Sequence, residues 1–191
     1  MNISRAGRLA LTVVLAVYGF ALLRHPEAGS LMDSVDLPIH ETGHLVFLPF
    51  GEFIQFLGGT LFQLIVPSVF VGYFLKRKDR HAASAALWWV GQNFWNISVY
   101  VKDARAEELP LVGGGEHDWA YLLGRMGWLP HDQIIGQRIW AAGVLVYLVA
   151  IAGGLVALVG GPVADDTSTD RPSDQPGGEP AETLSGSTGG P

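Results

Sequence analysis

Phe53 to Leu75 reads FIQFLGGTLFQLIVPSVFVGYFL, 23 residues without a charge, and Lys76-Arg77-Lys78-Asp79-Arg80 follows at once. An uncharged run of that length is long enough to cross a bilayer as a helix. Working outward, three more apolar runs flank it. Leu9 to Leu23 is uncharged, with Arg5 and Arg8 before it and Arg24 after. Ala82 to Val101 is alanine-rich and carries Trp88, Trp89 and Trp95, and Ile139 to Gly161 follows Arg138. The first run is short for a ~30 Å hydrocarbon core unless its arginines snorkel. A cleaved signal peptide is the rival reading, but no A-x-A site follows directly, which favours a retained anchor. The pattern predicts an all-α polytopic membrane protein with four spans. Residues 37–50 are too few to span and predict a partial-depth or re-entrant helix, with a continuous broken helix over 37–75 as the alternative. A short interfacial helix is expected over 119–129.

Charge placement sets the orientation. The 76–80 cluster, Arg5 and Arg8 are expected on the cytoplasmic side, which puts both termini there. Only 16% of the 191 residues are charged, and the net charge is −6. The tail, 162–191, holds six acids and one base and accounts for most of that charge. It is rich in Gly, Pro, Ser, Thr and Asp, so it is expected to be disordered, leaving residues 1–161 as the membrane domain. No basic surplus is available for phosphates, which argues against a nucleic-acid partner. The absence of cysteine excludes disulfides, thiolate metal sites and cysteine nucleophiles.

His40-Glu41-Thr42-Gly43-His44 is an HExxH motif. On a helix, residues four apart lie one above the other, so both imidazoles can face one metal ion. Glu41 sits about 100° round the helix from His40, where its carboxylate can take a proton from water activated by the ion. The composition alone would produce the motif in about 1% of chains of this length. Ionisable residues in an apolar segment are also expensive, and they mark function by default. The competing structural reading is a pair of helix-face histidines bonded to neighbouring carbonyls.

A catalytic Zn²⁺ takes three protein ligands and keeps one position open. Three places can supply the third ligand. Asp103 ends the 82–101 run, on the same face as Gln92, Asn96 and Tyr100, although an exposed helix-end acid would look the same. Glu116-His117-Asp118 lies in a glycine-preceded loop on the same outer side, although Asp118 is equally a helix cap and His117 a solvated side chain. Glu52 is the third, and it would need a tight reversal to reach the motif. Asp103 and His117 are the favoured pair.

Certain of these residues resemble the site-2 protease class of intramembrane zinc metalloproteases. HETGH at 40–44 opens an apolar segment, as in that class. Gly58-Gly59-Thr60-Leu61-Phe62-Gln63 is similar to its small-residue segment followed by a polar amide, with glutamine in place of asparagine. Asn96 to Asp103 resembles its asparagine-to-aspartate segment, without the proline or Leu-Asp-Gly and one residue short. That resemblance implies Asp103 as third ligand. The stretch from Asp103-Ala104-Arg105 to His117-Asp118-Trp119 is also similar to small bacterial HExxH membrane proteins, which implies an inner-membrane location and a His-Asp-Trp that belongs with the site.

The functional expectation is a zinc metallopeptidase with Glu41 as base and His40, His44 and Asp103 or His117 as ligands. Gln63, Asn96 or Tyr100 would hold the substrate backbone or the developing oxyanion, and Gly58, Gly59 and Pro67 would form a flexible entry edge. Its substrate would be a transmembrane or membrane-proximal peptide. The alternatives are a non-catalytic metal-binding membrane module, which would fill all four positions, and hydrolysis of a lipid-linked or other non-peptide amide. Interfacial placement is expected for His25, His81 and His131.

Overall fold

The uncharged runs become the long helices of an all-helical chain. A computed structural model describes residues 4–109 and 116–159, so the tail expected to be disordered lies outside the described residues. Six α-helices follow in order: α1 (Arg5–Arg24), α2 (Asp33–Phe47), α3 (Glu52–Lys76), α4 (Arg80–Asp103), α5 (Asp118–Arg125) and α6 (Asp132–Val159). Local chemistry fixes several starts. Ser4 caps α1 by accepting from the Gly7 amide at 3.2 Å, and Asp79 caps α4 by accepting from Ala82 at 3.1 Å.

Three segments among the described residues are long and apolar enough to cross a membrane: Arg5–Arg24, Glu52–Lys76 and Leu129–Val159. Helix α4 falls short in composition, and its packing explains why. It lies against α1, α3 and α6, and half of its length is buried, including Gln92, Asn93 and Ser98. A helix covered by protein on several faces needs no continuous apolar surface of its own. Trp88 and Trp95 are buried in the main core with Leu22, Tyr147 and Ala150. Helix α6 approaches α4 closely at glycines: a Cβ on Gly143 would lie 2.7 Å from the Trp95 ring. His81 is buried, and its Nε2 lies 3.0 Å from both the Thr12 hydroxyl and the Arg8 carbonyl, tying α4 to α1.

Helix α2 begins at Asp33, four residues before the sequence predicts, and carries Pro38 within it. Its 15 residues span about 22 Å, which is too short to cross. The chain then breaks in a 3-10 turn, Leu48–Phe50, and at Gly51, whose φ of 92° suits glycine. The continuous 37–75 helix is therefore not formed. Helix α3 returns antiparallel along α2: His44 meets Gln55 and His40 meets Gln63. Helix α2 and the turn expose Val35, Leu45, Val46, Leu48 and Phe50.

Candidate metal centre

Close approach of α2 and α3 builds the site. A Cβ on Gly43 would strike the Gly58 carbonyl, and one on Gly58 would lie 2.6 Å from Phe47 Cβ. One on Gly59 would lie 2.5 Å from His40 Nε2 and 2.7 Å from His44 Nε2. These glycines are tight packing positions rather than a flexible edge, and Gly59 sets its backbone directly against both imidazoles.

The ring nitrogens then sort themselves by partner. His44 Nδ1 lies 2.8 Å from the Gln55 carbonyl, which can only accept, so Nδ1 carries the proton. His40 Nδ1 lies 3.1 Å from Gln63 Oε1, and Gln63 Nε2 donates to Asn96 Oδ1 at 2.8 Å. Asn96 Nδ2 in turn donates to Asp33 Oδ1 at 3.1 Å. With each Nδ1 so occupied, both imidazoles turn their Nε2 to the same side. Outer partners of this kind fix the tautomer of metal-binding histidines.

Both Nε2 atoms point at Asp118. Its Oδ2 lies 2.8 Å from His40 Nε2 and 3.2 Å from His44 Nε2. Two ring nitrogens and a carboxylate oxygen this close must share protons or a cation among them. A tetrahedral zinc site with bonds of about 2.0–2.1 Å has ligand–ligand edges of roughly 3.3 Å, and the three ligand atoms here lie within 4.8 Å of one another. His40, His44 and Asp118 are the cluster among the described residues able to hold a metal ion. Burial pushes the Asp118 carboxyl up, but hydrogen bonds with His40 and His44 outweigh it and hold it below the usual carboxylate range. The same Asp118 contact raises His44, on the non-spanning α2, to about 8.

No family model, curated protein or solved structure matches the chain. The site is therefore read from its own geometry. Asp118 fills the position that the sequence offers first to Asp103 or His117. Neither of those two joins the cluster. His117 is the N-cap of α5, its Nδ1 accepting from the Ala120 amide at 3.2 Å, and its Nε2 faces Asp103 Oδ2 at 3.4 Å. Asp103 also accepts from the Glu108 and Leu109 amides at 3.1 and 3.0 Å, so it folds the chain that leaves α4. That fold, with the His117 cap, delivers Asp118 from the first turn of α5. Glu52 accepts from the Tyr121 hydroxyl at 2.9 Å, and Tyr121 stacks on Phe56 at 4.1 Å, holding α5 over α3. Glu52 thus braces α5 and lies outside the cluster.

Beside the cluster lies a cavity of about 340 Å³ lined by Glu41, Tyr100, Asn96 and Gln63, among others. Gln63 and Asn96 bond to each other, to His40 and to Asp33, which positions the imidazole and leaves each amide a second N–H. Tyr100 and Glu41 are left facing the cavity, with Glu41 exposed.

Proposed function

We propose that the chain is a zinc-dependent membrane metallopeptidase that hydrolyses peptide bonds within or at the membrane. The observation that carries this reading is the convergence of two Nε2 atoms on one Asp118 oxygen beside a cavity that holds Glu41. Two imidazoles and a carboxylate are a three-ligand set that suits Zn²⁺ and leaves a fourth position open. Bound there, zinc would act as a Lewis acid on a peptide carbonyl and would lower the pKa of water.

The chain's own residues account for the rest. Glu41 takes a proton from the attacking water as its oxygen bonds to the carbonyl carbon. It returns the proton to the leaving amine as the C–N bond breaks. The Tyr100 hydroxyl donates to the developing oxyanion. Gln55 and Gln63 hold the two imidazoles in the tautomer that ligates. A non-catalytic module would need a fourth protein ligand, and the described residues bring three together.

In this reading α4 is a fourth span, shielded by its neighbours, and α2 is a partial-depth helix with its apolar outer face in lipid. The 76–80 cluster and both termini lie in the cytoplasm. The likeness to the site-2 protease class then rests on HExxH and on the glycine segment against the imidazoles. The ligand set departs from that class, because the third ligand comes from α5 and not from the end of α4.

The test is Glu41→Gln in purified, zinc-loaded protein, assayed on quenched fluorescent peptides in detergent. Zinc content should match the wild type while hydrolysis falls about 10²–10⁴-fold, the usual contribution of a general base. Wild-type turnover in this variant would overturn the assignment.

A further inference from the structure

The cavity continues along α2 beyond the metal ligands to carboxylates that hydrolysis does not use. Asp36 precedes His40 by one turn and Asp33 by nearly two, on the face that carries both imidazoles, and both line the cavity. Asp33 is satisfied: it accepts from the Ser30 amide at 2.7 Å, the Ser30 hydroxyl at 2.9 Å and Asn96 at 3.1 Å. Asp36 is only half satisfied. Its Oδ1 accepts from the Trp89 indole at 2.7 Å, whereas its Oδ2, with the Gln92 and Asn93 amides nearby, makes no hydrogen bond of ordinary length although the residue is 2% exposed. A buried carboxylate oxygen without a donor is costly, and a cationic donor relieves that cost.

The charge of the wall points the same way. Asp33, Asp36, Glu41, Glu116 and Asp118 face the cavity, and no lysine or arginine among the described residues does. Among the described residues, no basic side chain pairs with Asp33 or Asp36. One divalent ion at the metal centre leaves the wall negative.

We propose that the Asp33–Asp36 end of the cavity is a subsite for a cationic group of the substrate, an ammonium or guanidinium, with Asp36 Oδ2 as its acceptor. The proposal rests on the peptidase reading above and names its substrate class: peptides with a positive charge close to the bond that is cut. One to two helical turns is about 5–11 Å, and an extended peptide advances about 3.3 Å per residue. The charge therefore falls within about three residues of the scissile bond. Either a lysine or arginine side chain or the peptide's own N-terminal ammonium supplies this chemistry. A neutral substrate leaves Asp36 buried and unpaired, so the subsite also selects against it.

The test measures binding separately from turnover. Fluorescent peptides differing only by lysine against Nε-acetyl-lysine, or by a free against an acetylated N-terminus, are titrated into zinc-loaded full-length Glu41→Gln protein by anisotropy. The charged peptide should bind about 10–100-fold tighter than its neutral twin, the scale of a charged hydrogen bond. The ratio should fall to about one when Asp36→Asn is added, with zinc content retained as evidence of folding. Sensitivity to lysine acetylation identifies a side-chain cation, sensitivity to N-terminal acetylation identifies the α-ammonium, and either supports the subsite. Equal binding of charged and neutral twins to Glu41→Gln, which needs no change at Asp36, would overturn it, as would a ratio that Asp36→Asn leaves intact. Absence of hydrolysis by the wild-type chain would count against the peptidase reading alone, because this selectivity is read on a non-hydrolysing variant.

Discussion

Gly59→Ala should damage the metal centre without touching a ligand. The added methyl would lie 2.5 Å from His40 Nε2, 2.6 Å from His40 Cε1 and 2.7 Å from His44 Nε2. Ordinary contact begins near 3.4 Å, so the rings must retreat by about 1 Å or α3 must move away from α2. The rings are pinned behind by Gln63 and the Gln55 carbonyl, and α3 is held at Gly43 and Gly58. Overpacking of this kind costs about 1–3 kcal/mol, and if the strain falls on the ligand geometry, zinc affinity drops about 10–100-fold. The assay is competitive zinc titration against a chromophoric chelator in detergent. Gly72→Ala is the matched control on the same helix. A Cβ there meets nothing within 4 Å, so it should leave zinc affinity unchanged and, as an alanine in a helix, stabilise slightly. Wild-type zinc affinity in Gly59→Ala would refute the close packing of α3 against the imidazoles.

Two further substitutions separate supporting residues from ligands. Gln63→Leu removes the acceptor that holds His40 Nδ1 and should weaken zinc binding about 10–100-fold while leaving its stoichiometry intact at saturating metal, read by the same titration. His117→Ala removes the cap of α5 and should cost about 1 kcal/mol of stability in thermal unfolding, with zinc still bound when the metal is saturating.

The helices were legible because uncharged runs bounded by basic residues leave little choice in lipid, as at Phe53–Leu75. The start of α2 was less so. Pro38 suits a first turn, which places the predicted start at 37, but the helix accommodates the proline and begins at Asp33. The two histidines and Glu41 could be read from helical periodicity alone. The third ligand could not, because it depends on where α5 begins. Aspartate is a common N-cap and histidine is not, so the sequence favours Asp118 as the cap, whereas His117 takes that role and Asp118 moves one residue into the helix. The polar stripe of α4 faces inward as its spacing suggests, and it divides by function. Asn96 and Tyr100 reach the cavity, and Asp103 turns to the loop. Gly59 was singled out only through the small-residue segment, without its contact to the imidazoles, and Asp36 carried no signal, since both features exist only once α2 has neighbours.

The most direct test of the central claim is the zinc retained per chain after dialysis, measured by elemental analysis for wild type, Asp118→Asn and Asp103→Asn side by side. A centre built from His40, His44 and Asp118 predicts a full equivalent in the wild type and in Asp103→Asn, and a large loss in Asp118→Asn. Full retention in Asp118→Asn, or loss confined to Asp103→Asn, would contradict it.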